Sequence, residues 1–392
     1  MIRKFEECRI PIQSYVDFDK IEESALQQLK NAASLPFAFK KVVALPDIHT
    51  GIGISIGTVL ATTGVVIPAA VGVDISCGMI AIKTSLHRTV LDVISLKFIM
   101  GQIREDIPFG LNKNHKEPLS ESLMPVLDAV ATPIVAREYE KARHALMTGG
   151  SGNHFLELQV DTDGYVWIMI HSGSRNLGYT VANHYIEKAV ILNAKYFSEV
   201  KPELKLAFLP IDSKEAHFYM SEMEYCVEYA LTNRRLMMET TCDIFRKYFP
   251  EILFEQSINI NHNYVRFEHH FNKNVLVHRK GATSAKLGEL GIIPGSQGTK
   301  SFLVIGLGNP DSFQSCSHGA GRKMSRKEAV RKLNFNDEIK ILDDQGIVHG
   351  IRHQKDLDEA PGSYKDINEV MSNQSDLVDI VMELTPIAVI KG

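Results

Sequence analysis

The chain has 392 residues, 44% hydrophobic and 23% charged, close to the globular average, which excludes a disordered, collagen-like or disulfide-stapled protein. A net charge of −4 gives no bulk basicity toward nucleic acid, and the five cysteines (Cys8, Cys77, Cys226, Cys242, Cys316) never form CxxC, pointing to a reducing compartment. The first residues carry charge where a signal peptide needs an apolar run, and the longest apolar run, 64–82, is cut by Pro68 and Asp74, so a cytoplasmic chain without a membrane span is expected.

In chain order, apolar periodicity predicts a helix over Asp19–Ala32, a strand over Lys41–Leu45 and a helix over Leu119–Leu146. A strand over Val166–Ile170 follows, then helices over Asn176–Phe197 and Phe218–Phe249 and strands over Ser257–Ile260 and Phe302–Ile305. Met220, Met223, Met237 and Met238 read as core filling. No repeat or long linker interrupts the pattern. The expectation is an α+β fold: one large domain over 1–392, mixed β-sheets flanked by helices around a central metal-containing cleft.

Charge is segregated. Residues 333–392 carry 12 acidic and 5 basic side chains, a net of −7, whereas the preceding 332 residues are net +3. Within 318–332 lie Arg322, Lys323, Arg326, Lys327, Arg331 and Lys332 against the single acid Glu328. A solvated helix face explains such a run equally well on charge alone. Its position after the turn Ser317-His318-Gly319-Ala320-Gly321 favours an anion site, because backbone amides at such a turn and helix start suit phosphate.

Chemically capable residues recur in glycine-rich turns directly after apolar runs. They include Asp47 in Pro46-Asp47-Ile48-His49-Thr50-Gly51, then Asp74 and Cys77 in Gly72-Val73-Asp74-Ile75-Ser76-Cys77-Gly78. Gly152-Asn153-His154, His171-Ser172-Gly173-Ser174-Arg175, Asn261-His262-Asn263 and Ser317-His318-Gly319 continue the series. Turns at strand ends present side chains into a shared cleft. Asp74, Cys77, His154, His171 and His262 together supply a carboxylate, a thiolate and three imidazoles, enough for one or two transition metals. Softness favours zinc, whereas a site that also holds nucleotide phosphates tolerates manganese. Two look-alikes fail. Thr299 separates Gly298 from Lys300 in a would-be phosphate loop, and Asp311 takes the third glycine position after Gly306-Leu307-Gly308.

These turns, in this order, resemble the RtcB family of RNA ligases, from Leu35 to Lys391-Gly392. The strongest matches are 69–79, Gly152-Asn153-His154-Phe155, His171–Arg175, His262-Asn263-Tyr264, Ile293-Pro294-Gly295-Ser296 and Ser315–Arg322. The closing Tyr364-Lys365-Asp366-Ile367 and Val389-Ile390-Lys391-Gly392 fit as well. The resemblance implies an enzyme that joins RNA 3′-phosphate or 2′,3′-cyclic phosphate ends to 5′-hydroxyl ends, in RNA repair or tRNA splicing. It implies that His318 takes GMP from GTP, that Asp47 orients this imidazole, and that Asp74, Cys77, His154, His171 and His262 hold two Mn2+ ions with Cys77 bridging. The GMP then passes to the RNA, giving an RNA(3′)pp(5′)G end that the 5′-hydroxyl attacks.

By the same resemblance Asn153, Phe155, Glu157, Tyr364 and Lys391 grip the guanosine. Arg175, Arg322 and Arg326 meet the triphosphate and RNA, with Lys280 and Lys300 as weaker members of that surface. Some relatives use archease as an activating partner. The chain looks shorter than typical members, with 104–147 compact where a recognition insert is expected. A cyclic phosphodiesterase that never ligates would dispense with His318, Glu157 and Lys391, and a degenerate RNA-binding protein would tolerate loss of Asp74, Cys77 or His318. All five residues are present.

Overall fold

Alternation along the early strand sets the architecture. In the computed structural model, which describes residues 3–392, the run Lys41–Leu45 lies inside the strand Ala38–His49. Val42 and Ala44 point to a cluster with Ala25, Leu29, Ala32 and Ala33 of the helix Glu23–Ala33. Val43 and Leu45 point the other way, against Phe302, Val304, Phe313 and Ile367. Burial on both faces explains the unbroken apolar run.

This strand belongs to a six-stranded sheet with spatial order Arg3–Phe5, Ile12–Ser14, Ala38–His49, Ile56–Thr62, Lys273–Lys280, Asn263–His270. A seven-stranded sheet runs Ile258–Asn261, Gly78–His87, Tyr165–Ser172, Phe155–Asp161, Val378–Lys391, Ser301–Gly306, Leu290–Ile293. Ile80, Leu156, Ile168 and Ile170 of its one face pack with Leu96, Ile99 and Ile103 of the helix Val93–Asp106 and with Met237, Met238 and Phe245 of the helix Lys214–Tyr248. The helices Pro133–Ala145, Arg175–Lys195 and Lys214–Tyr248 share a further core containing Met223. The α+β expectation holds, as does the core role of the methionines.

One expected helix is corrected. Over Leu119–Leu146 the chain forms a 3-10 turn, Glu121–Leu123, an irregular stretch, and then the helix Pro133–Ala145. Pro125 and Pro133 lack the amide a continuous helix needs, and Pro133 sits where a first turn tolerates it. Thr132 makes no side-chain cap, and the buried Glu222 carboxylate accepts from the Ile134 amide at 2.6 Å instead.

Besides packing through a shared core, the two sheets are joined along the chain by one residue. Ile258–Asn261 pairs in the seven-stranded sheet and Asn263–His270 in the six-stranded one, leaving His262 at the crossing. The crossing is cemented by Arg234, a fully buried guanidinium of the long helix. It donates to the carbonyls of Ser76 and Ser172 (3.0 and 2.9 Å) and to the side-chain oxygens of Asn259 and Asn261 (2.8 and 2.6 Å). Burial lowers its pKa to about 10, against the opposing pull of Cys77 and Asp74, so it stays charged at neutral pH. Arg234→Ala removes this donor from the Ser76 and Ser172 carbonyls and from the Asn259 side chain, while Asn261 Oδ1 keeps the Ser76 hydroxyl, and is expected to destabilise the fold by about 3 kcal/mol or more, measured by chemical denaturation.

Candidate active site

The site residues come from both large sheets and from a two-stranded pair, Ala282–Ser284 with Ser315–Ser317, which converge near the His262 crossing. Asp74 and Cys77 lie in the loop between the short helix Pro68–Val71 and the strand Gly78–His87. His154 immediately precedes the strand Phe155–Asp161, and His171 lies in Tyr165–Ser172. His318 follows Ser315–Ser317, and Asp47 lies in Ala38–His49. Asn263 ties the loop in place: its carbonyl accepts from the Ser76 amide at 2.7 Å and its side chain donates to the Asp74 carbonyl at 2.9 Å.

Cys77, His154 and His171 are buried with their ligand atoms all within 4.8 Å of one another, a candidate metal site. Cys77 Sγ lies 3.2 Å from His154 Nε2 and 3.1 Å from His171 Nε2. The constellation extends on both sides, through Asp74 Oδ2 at 3.1 Å from His154 Nε2 and His262 Nε2 at 3.2 Å from His171 Nε2. His154 Nδ1 faces the Gly149 carbonyl and Arg175 Nη1, each at 3.1 Å, while its Nε2 points into the cluster. Burial, reinforced by the neighbouring histidines, holds His171 and His262 well below the ordinary imidazole range, so both are neutral. Burial and the Asp74 charge push the Cys77 thiol up, and only a cation would hold a thiolate here. Neutral imidazoles converging on a sulfur and a carboxylate fit a divalent transition metal.

Beside the cluster, His318 Nδ1 donates to Asp47 Oδ2 at 2.6 Å, and the His318 amide donates to the same oxygen at 3.1 Å. Burial alone would raise the Asp47 carboxyl, but the His318 contacts hold it below the usual range, so it is ionised. The ring of His318 stands 4.7 Å from that of His262. Gly281 leaves room for it: at φ +58 a side chain there is strained, and its Cβ would press to 3.0 Å on His318 Cε1.

Two openings flank this centre. A cavity of about 190 Å³ is lined by His318, His171, Asn153, Phe155, Arg322, Arg326 and Tyr364, together with His49 and the turn 319–321. A cleft of about 870 Å³ is lined by Asp74, His154, Arg175, Lys113, Lys141 and His144, and shares Asn153 and Arg326 with the cavity. Glu157 and Lys391 line neither opening. Lys391 pairs with Phe155 across adjacent strands, and Glu157, two residues beyond Phe155, is buried and accepts from Gln159 at 2.8 Å. Burial raises the Glu157 carboxyl to about 8, against the opposing pull of Lys391 and Gln159.

Several expectations are revised. The basic run does not wait open for an anion at a helix start, because the helix begins only at Arg326 and the chain supplies its own anion. Arg322 Nη1 and Arg326 Nε bind the buried Glu359 carboxylate at 2.8 and 2.5 Å. Lys280 is buried and donates to the Ile52 and Ala69 carbonyls, and Lys300 pairs with Glu383 at 2.5 Å. Neither ammonium is free for a phosphate surface. Glu359 escaped the sequence reading because an acid in an acidic segment carries no local signal. His49 was inside a recognised turn; burial lowers it to about 4, leaving a neutral ring against the Asp47 carbonyl at 2.8 Å.

The family model described as tRNA-splicing ligase RtcB matches residues 28–144 and 125–392. The chain belongs to the RtcB family. It is 37% identical to the RNA-splicing ligase RtcB of Escherichia coli K12 over 402 aligned residues, covering 97% of each chain. It is 32% identical to the tRNA-splicing ligase RtcB of Nanoarchaeum equitans over 471 aligned residues, covering 100% of this chain and 97% of the relative. The RNA-splicing ligase RtcB of Mycobacterium bovis is 32% identical, with 93% of this chain and 100% of the relative covered. The alignments run 471 residues to the archaeal RtcB and 402 to the Escherichia coli RtcB, against a chain of 392, so the expected shortness is large against the first and slight against the second. The two matched segments of the RtcB model overlap at 125–144, within the region expected to be loosely matched. Among the described residues no helix is long and apolar enough to cross a membrane.

Cys77→Ala removes the sulfur shared by two imidazoles. It is expected to cut bound divalent transition metal in the purified chain at least about tenfold, read by elemental analysis after dialysis.

Proposed function

We propose that this RtcB-family chain acts as one unit over 1–392, in the cytoplasm, as a GTP- and manganese-dependent RNA ligase. It joins 3′-phosphate or 2′,3′-cyclic phosphate ends to 5′-hydroxyl ends in RNA repair or tRNA splicing, with an archease as partner as in some relatives. The observation that carries the reading is the buried Asp47 carboxylate at 2.6 Å from His318 Nδ1, at the wall of a cavity that adjoins the Cys–His cluster. A carboxylate on Nδ1 leaves the Nε2 lone pair outward and stabilises the cation that forms when this ring is phosphorylated.

His318 Nε2 attacks the α-phosphorus of GTP, the bond to the β-phosphate oxygen breaks, and pyrophosphate leaves. An oxygen of the RNA 3′-phosphate then attacks the same phosphorus, breaking the N–P bond and freeing His318. The 5′-hydroxyl attacks the activated 3′-phosphorus and GMP departs. Manganese would be held by Asp74, Cys77, His154, His171 and His262 and would supply Lewis acidity toward the phosphate oxygens. Arg175, half-buried in the cleft, and Arg326 suit phosphate oxygens through their planar forks. Asn153, Phe155, Tyr364 and Lys391 frame the guanosine, with Tyr364 offering a face for the base. A phosphodiesterase without ligation has no use for the Asp47–His318 pair.

The decisive experiment incubates the chain with radiolabelled GTP and manganese and separates it under denaturing conditions. Wild type is expected to carry label and His318→Ala none, at unchanged manganese content. Label persisting on His318→Ala would refute the nucleophile.

The Glu157 carboxyl provides a second check. With a pKa of about 8 it is mostly protonated at pH 7, and guanine N1–H and N2 amine donors favour its ionised form. GTP binding at pH 7 is therefore expected to release a proton, with affinity rising up to about tenfold per unit as pH climbs toward 8 and levelling beyond. Calorimetry in two buffers of different ionisation enthalpy measures this, and Glu157→Gln is expected to abolish the release.

A further inference from the structure

Glu359 gathers four groups around one nearly inaccessible carboxylate, 2% exposed, at the end of the turn Gln354–Glu359. Arg322 Nη1 binds Oε2 at 2.8 Å and Arg326 Nε binds Oε1 at 2.5 Å. The Tyr364 hydroxyl donates to Oε2, and Lys391 Nζ stands 3.8 Å away. Although burial alone would raise its pKa, Lys391, Arg322 and Arg326 hold it down to about 2, so it is ionised throughout the neutral range. The Glu359 carbonyl accepts from Gln297 Nε2 at 2.8 Å, which anchors this acid to the loop beside Gly295.

The two arginines are used differently. Arg322 also spends Nη2 on the Asp358 carbonyl at 2.7 Å and Nε on the Met324 carbonyl at 3.0 Å, while its guanidinium lies 5.3 Å from the Tyr364 ring centroid. All three of its nitrogens are engaged within the chain. Arg326 gives Glu359 only Nε, and its Nη atoms project over Gly152, where a Cβ would come within 2.5 Å of Nη2. Arg326 is also shared by the small cavity and the large cleft. The Asp358 carboxyl also faces Arg322, Arg326 and Lys391, so these three cations share more than one acid, yet among the described residues the Arg326 Nη atoms make no ion pair of their own.

We propose that Glu359 is a positioning residue: it fastens Arg322 as a brace behind Tyr364 and holds Arg326 by Nε so that both Nη atoms face a polyphosphate at the junction of cavity and cleft. The assignment rests on the nucleotide reading above only for its identity as GTP; the anion grip follows from the arginine geometry. It separates Arg326, the gripping arginine, from Arg322, the structural one. A fork pinned through Nε presents two parallel donors to phosphate oxygens, which a lysine cannot reproduce.

The test titrates inorganic tripolyphosphate into the purified full chain by calorimetry, for wild type, Glu359→Gln, Glu359→Asp and Arg326→Lys. The sign of the Glu359→Gln effect separates the two physical accounts. If Glu359 were merely a nearby negative charge, its removal would tighten anion binding; as a positioning residue, its removal weakens binding about tenfold or more, and Asp restores part of the loss. Arg326→Lys, at a half-exposed side chain that the fold tolerates, is expected to match that loss and to add little in the double variant with Glu359→Gln. With GTP, Glu359→Gln is expected to raise KM for adduct formation with little change in kcat. Tighter or unchanged tripolyphosphate binding in Glu359→Gln, or unchanged binding in Arg326→Lys, overturns the proposal. A wild type that binds tripolyphosphate through Arg326 yet forms no His318 adduct refutes the ligase reading and leaves the positioning role standing.

Discussion

The structure depends on a one-residue crossing. Asn261 pairs with Gly78 in one sheet and Asn263 with Lys280 in the other, so His262 belongs to neither ladder. Its amide still donates to the Cys77 carbonyl at 2.9 Å and its carbonyl accepts from the Ala282 amide at 3.1 Å. The crossing histidine is thereby fixed from both sides, and its ring reaches His171 on one hand and His318 on the other. A candidate metal-ligating cluster at the edge of one sheet and the Asp47–His318 pair beside the other are brought into contact here, with the Arg234 and Asn263 side chains adding to the backbone hydrogen bonds. Loops on a rigid scaffold usually supply such precision through several connections; here a single peptide and two side chains set most of it.

Burying so many polar groups demands that each be answered. Arg234 has no carboxylate beside it and is satisfied by four oxygens, two of them carbonyls of the metal-bearing segments. Lys280 is treated in the same way by the Ile52 and Ala69 carbonyls, and burial lowers it to about 7. Both cations brace the site without facing it. Charge near a reaction centre is therefore a poor guide to which cations touch a ligand, and the number of donors still uncommitted is a better one.

Much of this was legible in the chain. Glycine-rich turns after apolar runs marked Asp47, Asp74, Cys77, His154, His171, His262 and His318, but only His262 and His318 follow a strand: Asp74 and Cys77 follow a short helix, His154 precedes its strand, and Asp47 and His171 lie inside theirs. The strands Tyr165–Ser172 and Ser301–Gly306 and the helices Arg175–Lys195 and Lys214–Tyr248 fall where periodicity put them. Strands carrying polar residues or glycine, such as Asn263–His270 and Ile56–Thr62, gave no comparable apolar signal, since their pairing is decided by distant partners. Proline broke one expected helix for a local reason. The partner of a buried charge is a tertiary fact, and no spacing rule carries it.

The segregation of charge along the chain takes on a meaning through that last point. The basic run 318–332 and the acidic segment after it are not two independent surfaces. Glu359, from the acidic part, neutralises some of the basic part internally, and Glu338 likewise turns inward, accepting from the Gly362 amide at 3.0 Å. Among the described residues, what remains without an ion-pair partner is local: the Arg326 Nη atoms, Arg175 and Lys113 along one cleft, where Lys141 pairs with Glu138 at 2.8 Å. A chain with a net charge of −4 can thus present a positive channel without being basic overall. Such an arrangement limits long-range attraction to any polyanion while keeping strong contacts where phosphate oxygens reach the forks, so selectivity for a strand end can rest on the geometry of the junction rather than on accumulated backbone charge.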